Sequence, residues 1–149
     1  MKRFRFSLET VLSYKQQVLD SLQVEHAGIL QMMREQEKKI ADCWVRYRAY
    51  NEEYRERSLT GISVMDARFY ENGLRGMEET IQLETEALEE LKKQEEEKRS
   101  EVIEARKETA SIEKLKEKKI AEYQKEMTKA DEAFVEEFVS AARARNPGE

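Results

Sequence analysis

The chain has 149 residues, of which 40% are charged, 39% hydrophobic and 8% aromatic, with one proline and a net charge of -5. That composition belongs to long helices and coiled coils and excludes a thick globular core. The acidic balance, with a pI near 5.3, argues against a general nucleic-acid binder, although Lys2, Arg3 and Arg5 form a small basic arm.

At the N-terminal end, Met1 to Phe6 is followed by Glu9 rather than by an apolar signal-type stretch, and no run approaches the roughly 20 apolar residues of a membrane span. The sequence therefore predicts a cytosolic protein with no direct membrane insertion. The single cysteine, Cys43, cannot form an internal disulfide and fits a reducing compartment. No Gly-rich or Ser/Pro-rich linker divides the chain, so a single domain is expected.

The first predicted helix covers about residues 7–57. Alternating steps of three and four from Leu12 give Lys15, Leu19, Leu22, His26, Ile29, Met33, Gln36, Ile40, Cys43, Tyr47, Tyr50 and Tyr54, a mostly apolar heptad seam. The only cluster of turn residues follows, Ser58-Leu59-Thr60-Gly61-Ile62-Ser63, and is read as the turn at 58–63. Ser7 and Ser63 are the expected N-caps, because each hydroxyl can accept from a free first-turn amide.

The second predicted helix covers about residues 64–143. From Tyr70 the same spacing gives Leu74, Met77, Ile81, Glu84, Leu88, Leu91, Glu95, Lys98, Val102, Ala105, Thr109 and Ile112. Reversal at the turn makes partner residue numbers sum to about 121, which sets Met33 on Leu88, Ile40 on Ile81 and Tyr50 on Tyr70. The same rule sets Gln36 opposite Glu84 and His26 opposite Glu95, matched polar layers that would penalise a slipped register. The fold expected is thus all-α, an antiparallel coiled-coil hairpin of two long helices with a C-terminal helix overhang. Helix 1 would be roughly 75 Å long and helix 2 roughly 120 Å, leaving about thirty residues without a counterpart. Fraying is expected beyond Asn146-Pro147-Gly148.

Such a fold offers partners surface rather than a cavity. Trp44, Tyr47, Tyr50, Tyr54, Phe69 and Tyr70 gather near the turn. Trp44 and Phe69 lie off the seam, where a partner is the best explanation for aromatic area. Phe134, Val135, Phe138, Val139 and Ala142 form a stripe on the overhang. It could be covered by the arm with Phe4 and Phe6, by a second copy, or by another protein. His26 and Cys43 lack the further ligands of a zinc site, and Gly73 and Gly76 sit in a helical pattern rather than a phosphate loop. The run Glu89 to Arg99 interleaves acids with Lys92, Lys93, Lys98 and Arg99, as a solvated helix face does. No catalytic constellation, metal site or cofactor site is expected, and the chain is read as a non-enzyme.

Particular residues resemble a known family. Phe4-x-Phe6-x-Leu8-Glu9-x-Val11-Leu12-x-x-Lys15 is similar to the start of the flagellar export protein FliJ family. So are Tyr70-x-x-x-Leu74 with Ile81, Glu113-Lys114-Leu115-Lys116-Glu117-Lys118 with Tyr123, and Asp131-Glu132. The likeness spans nearly the whole chain; Phe134 and Phe138 have no assigned place in it. The resemblance implies a component of type III protein export in flagellum biogenesis, and hence in chemotaxis. Such a component would be cytoplasmic and peripheral to the inner membrane through the export apparatus. Shaped like the central stalk of a rotary ATPase, it would bind and regulate the hexameric export ATPase and reach the cytoplasmic side of the export gate. Carried onto this sequence, with Trp44 added from its off-seam position, the gate-binding tip would use Trp44, Tyr47, Tyr54, Phe69, Tyr70, Leu74, Met77 and Ile81. Phe69 and Tyr70 would be its most accessible members, since the seam buries Leu74, Met77 and Ile81. The ATPase-binding end would use Arg3, Phe4, Phe6, Leu8, Leu12, Lys114, Leu115, Lys118 and Tyr123. Outside the resemblance, and from their place on the overhang alone, Phe134 with Phe138 would form a further partner stripe. The alternatives are an escort of export chaperones, a generic cytosolic coiled-coil scaffold, and the equivalent stalk of a virulence injectisome.

Overall fold

The computed structural model describes residues 2–146, which form two long helices packed against each other: α1, Glu9–Thr60, and α2, Val64–Arg145. Helix α1 begins at Glu9 rather than at Ser7. The Glu9 amide donates to the Phe6 carbonyl at 3.2 Å and the Leu12 amide to Leu8 at 2.8 Å, so the chain enters through a backbone turn and Leu8 takes the cap position expected of Ser7. Glu9, in the first turn, sets a negative charge against the positive end of the helix dipole.

The helix also runs past its expected end. Ser58 Oγ donates to the Tyr54 carbonyl at 2.8 Å and Thr60 Oγ1 to the Arg57 carbonyl at 3.1 Å, so these hydroxyls bond back into the helix instead of competing with it. The reversal is therefore confined to residues 61–63. Gly61, with φ of 103°, is what breaks the helix, since an L side chain rarely adopts that conformation. Ser63 then caps α2 as anticipated: its Oγ accepts from the Asp66 amide at 3.1 Å and its carbonyl from the Ala67 amide at 2.9 Å. Helix α2 ends at Arg145 rather than Arg143. The fraying expected at Pro147 and Gly148 concerns residues outside those described.

The chain divides into two compact units, Asp20–Ile103 and Met1–Leu19 with Glu104–Glu149. In the first unit the helices run antiparallel, tied by His26–Glu95 at 3.1 Å, Gln36–Glu84 at 2.6 Å, Tyr47–Glu78 at 2.7 Å and Tyr54–Glu71 at 3.2 Å. Both polar layers foreseen in the sequence are present, and Gln36 Nε2 donates also to the Glu84 carbonyl. In the second unit Lys15–Glu108, Gln16–Glu113 and Glu9–Lys116 give the same antiparallel sense.

Every seam position named from the sequence is buried or half-buried, with Leu12, Cys43, Tyr70, Ile81, Val102, Ala105 and Thr109 the most enclosed. Burying one such large apolar side chain contributes roughly 1.5–3 kcal/mol, so stability is spread along the seam rather than concentrated in a centre. Thr109 is tolerated there because its hydroxyl donates to the Ala105 carbonyl at 2.8 Å.

Candidate partner-binding surfaces

The aromatic cluster near the turn is mostly internal packing. The Tyr70 ring stacks on Tyr54 with centroids 5.3 Å apart and tilts against Tyr50 at 5.1 Å, and the Arg57 guanidinium lies 5.6 Å over its centre. The Tyr70 hydroxyl accepts from Arg57 at 3.0 Å and donates to Glu53 at 3.2 Å. That bond holds the Arg57 guanidinium above its ordinary pKa. The Tyr47 hydroxyl is also shifted up, first by donating to Glu78, and Tyr54 is shifted up by desolvation and then by Glu71.

These bonds correct part of the tip reading. Tyr70, named as an accessible docking residue, is only 5% exposed, and Ile81 is buried like it, so neither can offer its side chain. Tyr47, Tyr54, Leu74 and Met77 are half-buried, with the two tyrosine hydroxyls already engaged. Two members of the set remain presented. Phe69 is 71% exposed, and Trp44 is 41% exposed, with its ring centroid 5.5 Å from that of Tyr47 in an edge-to-face contact.

Three further apolar side chains join Phe69 at the turn: Leu59, Val64 and Met65, each at least 74% exposed. Heptad spacing does not single them out. Leu59 falls within the turn cluster 58–63, and Val64 and Met65 open the second helix off the seam. The available signal was three apolar residues off the seam beside a single break.

At the other unit the arm packs down. Phe4 tilts against Tyr123 with centroids 5.5 Å apart, and the Tyr123 hydroxyl donates to the Lys2 carbonyl at 2.8 Å. Phe4, Phe6, Leu8 and Tyr123 are half-buried, while Leu12 is buried at 4% exposure and so is part of the core rather than of a docking face. Arg3, Lys114, Leu115 and Lys118 are exposed. Helix α2 remains helical beyond Tyr123, yet every residue from Gln124 to Asn146 is exposed, Phe134 by 70% and Phe138 by 68%. The arm is therefore not what covers that stripe, because its phenylalanines reach Tyr123 instead.

Among the described residues no group of three His, Cys, Asp or Glu is placed to hold a metal ion, and no helix is long and apolar enough to cross a membrane. An open groove lined by Cys43, Arg46, Gly73, Gly76, Met77 and Thr80 contains no paired acid and base.

The sequence profile of the flagellar FliJ protein matches residues 4–148. The chain belongs to the FliJ family. Membership makes this FliJ-family chain a component of flagellar type III protein export, and the family is one of export components rather than of enzymes. No curated protein and no solved structure shows a significant match to it.

Proposed function

We propose that this FliJ-family chain is the stalk of the export ATPase: a cytoplasmic antiparallel coiled coil whose C-terminal overhang enters the ATPase ring and regulates hydrolysis. Its turn would engage the cytoplasmic side of the export gate, at the inner membrane. One observation carries the reading: α2 extends to Arg145 with an unpartnered stripe of Phe134, Val135, Phe138 and Val139. So much exposed aromatic surface on a regular helix is costly unless another protein takes it up. The second sticky zone, Phe69 with Leu59, Val64 and Met65, supplies what a gate contact needs. Two zones in one chain raise the effective concentration of each partner near the other. A single asymmetric stalk would bias a sixfold ring only through contacts that differ between subunit conformations.

The decisive experiment adds the purified chain to the export ATPase. Hydrolysis should rise with the intact chain and stay at its basal level with a chain ending at Tyr123 or carrying Phe134→Ala and Phe138→Ala. Full stimulation by both variants would refute the stalk role. Export-chaperone binding is the second reading, favoured by the partial exposure of Trp44 off the seam. Retention of chaperone by the wild type but not by Trp44→Ala, without any effect on the ATPase, would select it.

A further inference from the structure

In the unit holding the termini, the N-terminal arm displays the chemistry that one face of α2 accepts. Through residues 3–6 burial alternates: Phe4 and Phe6 are half-buried and Arg3 and Arg5 exposed, as in an extended segment that lays one edge on a surface. Phe4 rests on the Tyr123 ring at 5.5 Å, the Tyr123 hydroxyl donates to the Lys2 carbonyl at 2.8 Å, and Arg5 shares a groove with Glu122 and Glu126. Lys116 and Lys119 face the arm too, but they pair with Glu9 at 2.9 Å and with Glu122 at 3.6 Å. The carboxylate beside Arg5 with no ion pair among the described residues is Glu126.

The same face continues beyond the arm and lies open. At 3.6 residues per turn, Tyr123, Met127, Ala130, Phe134 and Phe138 fall within about 40° of one line along α2, so the exposed phenylalanines prolong the strip on which Phe4 sits. Glu126 and Glu137 border that line on one side and Asp131 on the other, each about 60–80° away. Lys125 and Lys129, the cations of segment 124–138, fall on the opposite side of the helix with Glu132 and Glu136. The open strip is apolar along its middle and acidic along both edges. A second copy suits it poorly, because overlaying two such strips in either direction sets acidic edges on acidic edges.

We infer that the strip from Met127 to Phe138 receives an extended segment of a partner protein in which aromatic or aliphatic side chains alternate with arginine or lysine. That is the chemistry the arm already presents one turn earlier on the same face. The strip is about 16 Å long, room for about five extended residues. The segment's apolar side chains cover Phe134 and Phe138, and its cations reach Glu126, Asp131 and Glu137. The inference rests on the overhang being the partner-binding end of the stalk, and adds what the partner must present there.

The test uses the full chain without any ATPase, and its probe is a fluorescent peptide with the sequence of residues 2–8, Lys-Arg-Phe-Arg-Phe-Ser-Leu. Fluorescence anisotropy should rise on binding, and affinity should fall as added salt screens the charges. Phe134→Ala with Phe138→Ala should weaken binding at least about tenfold, and so should Glu126→Lys, Asp131→Lys and Glu137→Lys together. Peptides with both arginines replaced by glutamate, or both phenylalanines by alanine, should lose as much. All the substituted positions of the chain are exposed, so helicity by circular dichroism should not change. A peptide that fails to bind, binding indifferent to either set of substitutions in the chain, or equal binding of the phenylalanine-free peptide would each overturn the inference. A salt-insensitive dimer in sedimentation, lost with Phe134→Ala and Phe138→Ala, would give the strip to a second copy and overturn it as well. Because no ATPase is present, failure here and failure of ATPase stimulation are separate results.

Discussion

Glycine in the middle of a helix costs about 0.8–1 kcal/mol relative to alanine, so Gly→Ala inside α2 should stabilise unless the new methyl meets something. At Gly76 it meets nothing within 4 Å. At Gly73 a Cβ would lie 2.7 Å from Tyr50 Oη, 2.9 Å from Cε1 and 3.0 Å from Cζ, well inside the roughly 3.5–4.0 Å of ordinary carbon contact. The Tyr50 ring cannot swing away cheaply, because it packs on Tyr70, which in turn stacks on Tyr54. Overpacking of this kind costs about 1–3 kcal/mol, which matches or exceeds the helix-propensity gain. Gly76→Ala should therefore stabilise by about 1 kcal/mol, whereas Gly73→Ala should range from neutral to about 2 kcal/mol less stable. For a chain of this size the two melting temperatures should differ by several degrees, at about 2–4 °C per kcal/mol. Urea unfolding followed at 222 nm reads the difference directly. In a Tyr50→Leu background, where the clash is gone, Gly73→Ala should stabilise by about the 1 kcal/mol expected at Gly76, a coupling between neighbours that a double-mutant cycle measures. If Gly73→Ala alone stabilised as much as Gly76→Ala, the tight seating of Tyr50 on the glycine would be wrong.

Neighbouring Phe69 and Tyr70 should separate binding from stability. Tyr70→Ala should cost about 3–5 kcal/mol by denaturant titration, whereas Phe69→Ala should change stability by less than about 0.5 kcal/mol while weakening capture of the purified export gate. The Glu84 carboxyl is held below its ordinary value of 4.5 by its bond from Gln36 and then by Lys39. A lowered folded pKa stabilises above the unfolded value and is lost as pH falls through the folded one. Gln36→Leu should thus lower the urea midpoint at pH 7, with the gap to wild type narrowing as pH falls below 4.5 and Glu84 protonates. Replacing His26 and Glu95 together by leucine should leave the helices stable but less uniquely paired. Cysteine pairs introduced across the seam should then cross-link in more than one register, and a single surviving register would contradict the proposed role of the layer. Gly61→Ala should destabilise by about 1–2 kcal/mol, because its φ of 103° strains an L side chain.

Heptad spacing was enough to locate the seam, because a long amphipathic helix repeats its burial pattern and each error would have to recur every turn. The two polar layers were legible for the same reason: once the turn was placed, Gln36 could only meet Glu84 and His26 only Glu95. The ends were less legible. Ser7, Ser58 and Thr60 look alike in sequence, yet Ser58 and Thr60 bond back into the helix while Ser7 leaves the cap to Leu8, a choice between competing hydrogen bonds that differ by little. The surfaces were legible where they lay off the seam, as with Phe69, Phe134 and Phe138. They were misjudged where one ring could serve either role. Tyr70 went inward because its hydroxyl found Arg57 and Glu53, partners that spacing alone does not reveal.

The stretch from Gln124 to Arg145 is helical with every side chain open to water. About six turns of helix without tertiary support are only marginally stable, so their amides should exchange with deuterium far faster than those beneath Leu12 or Ile81. Whatever grips these turns must slow that exchange, which makes the rate a built-in gauge of occupancy that needs no attached label.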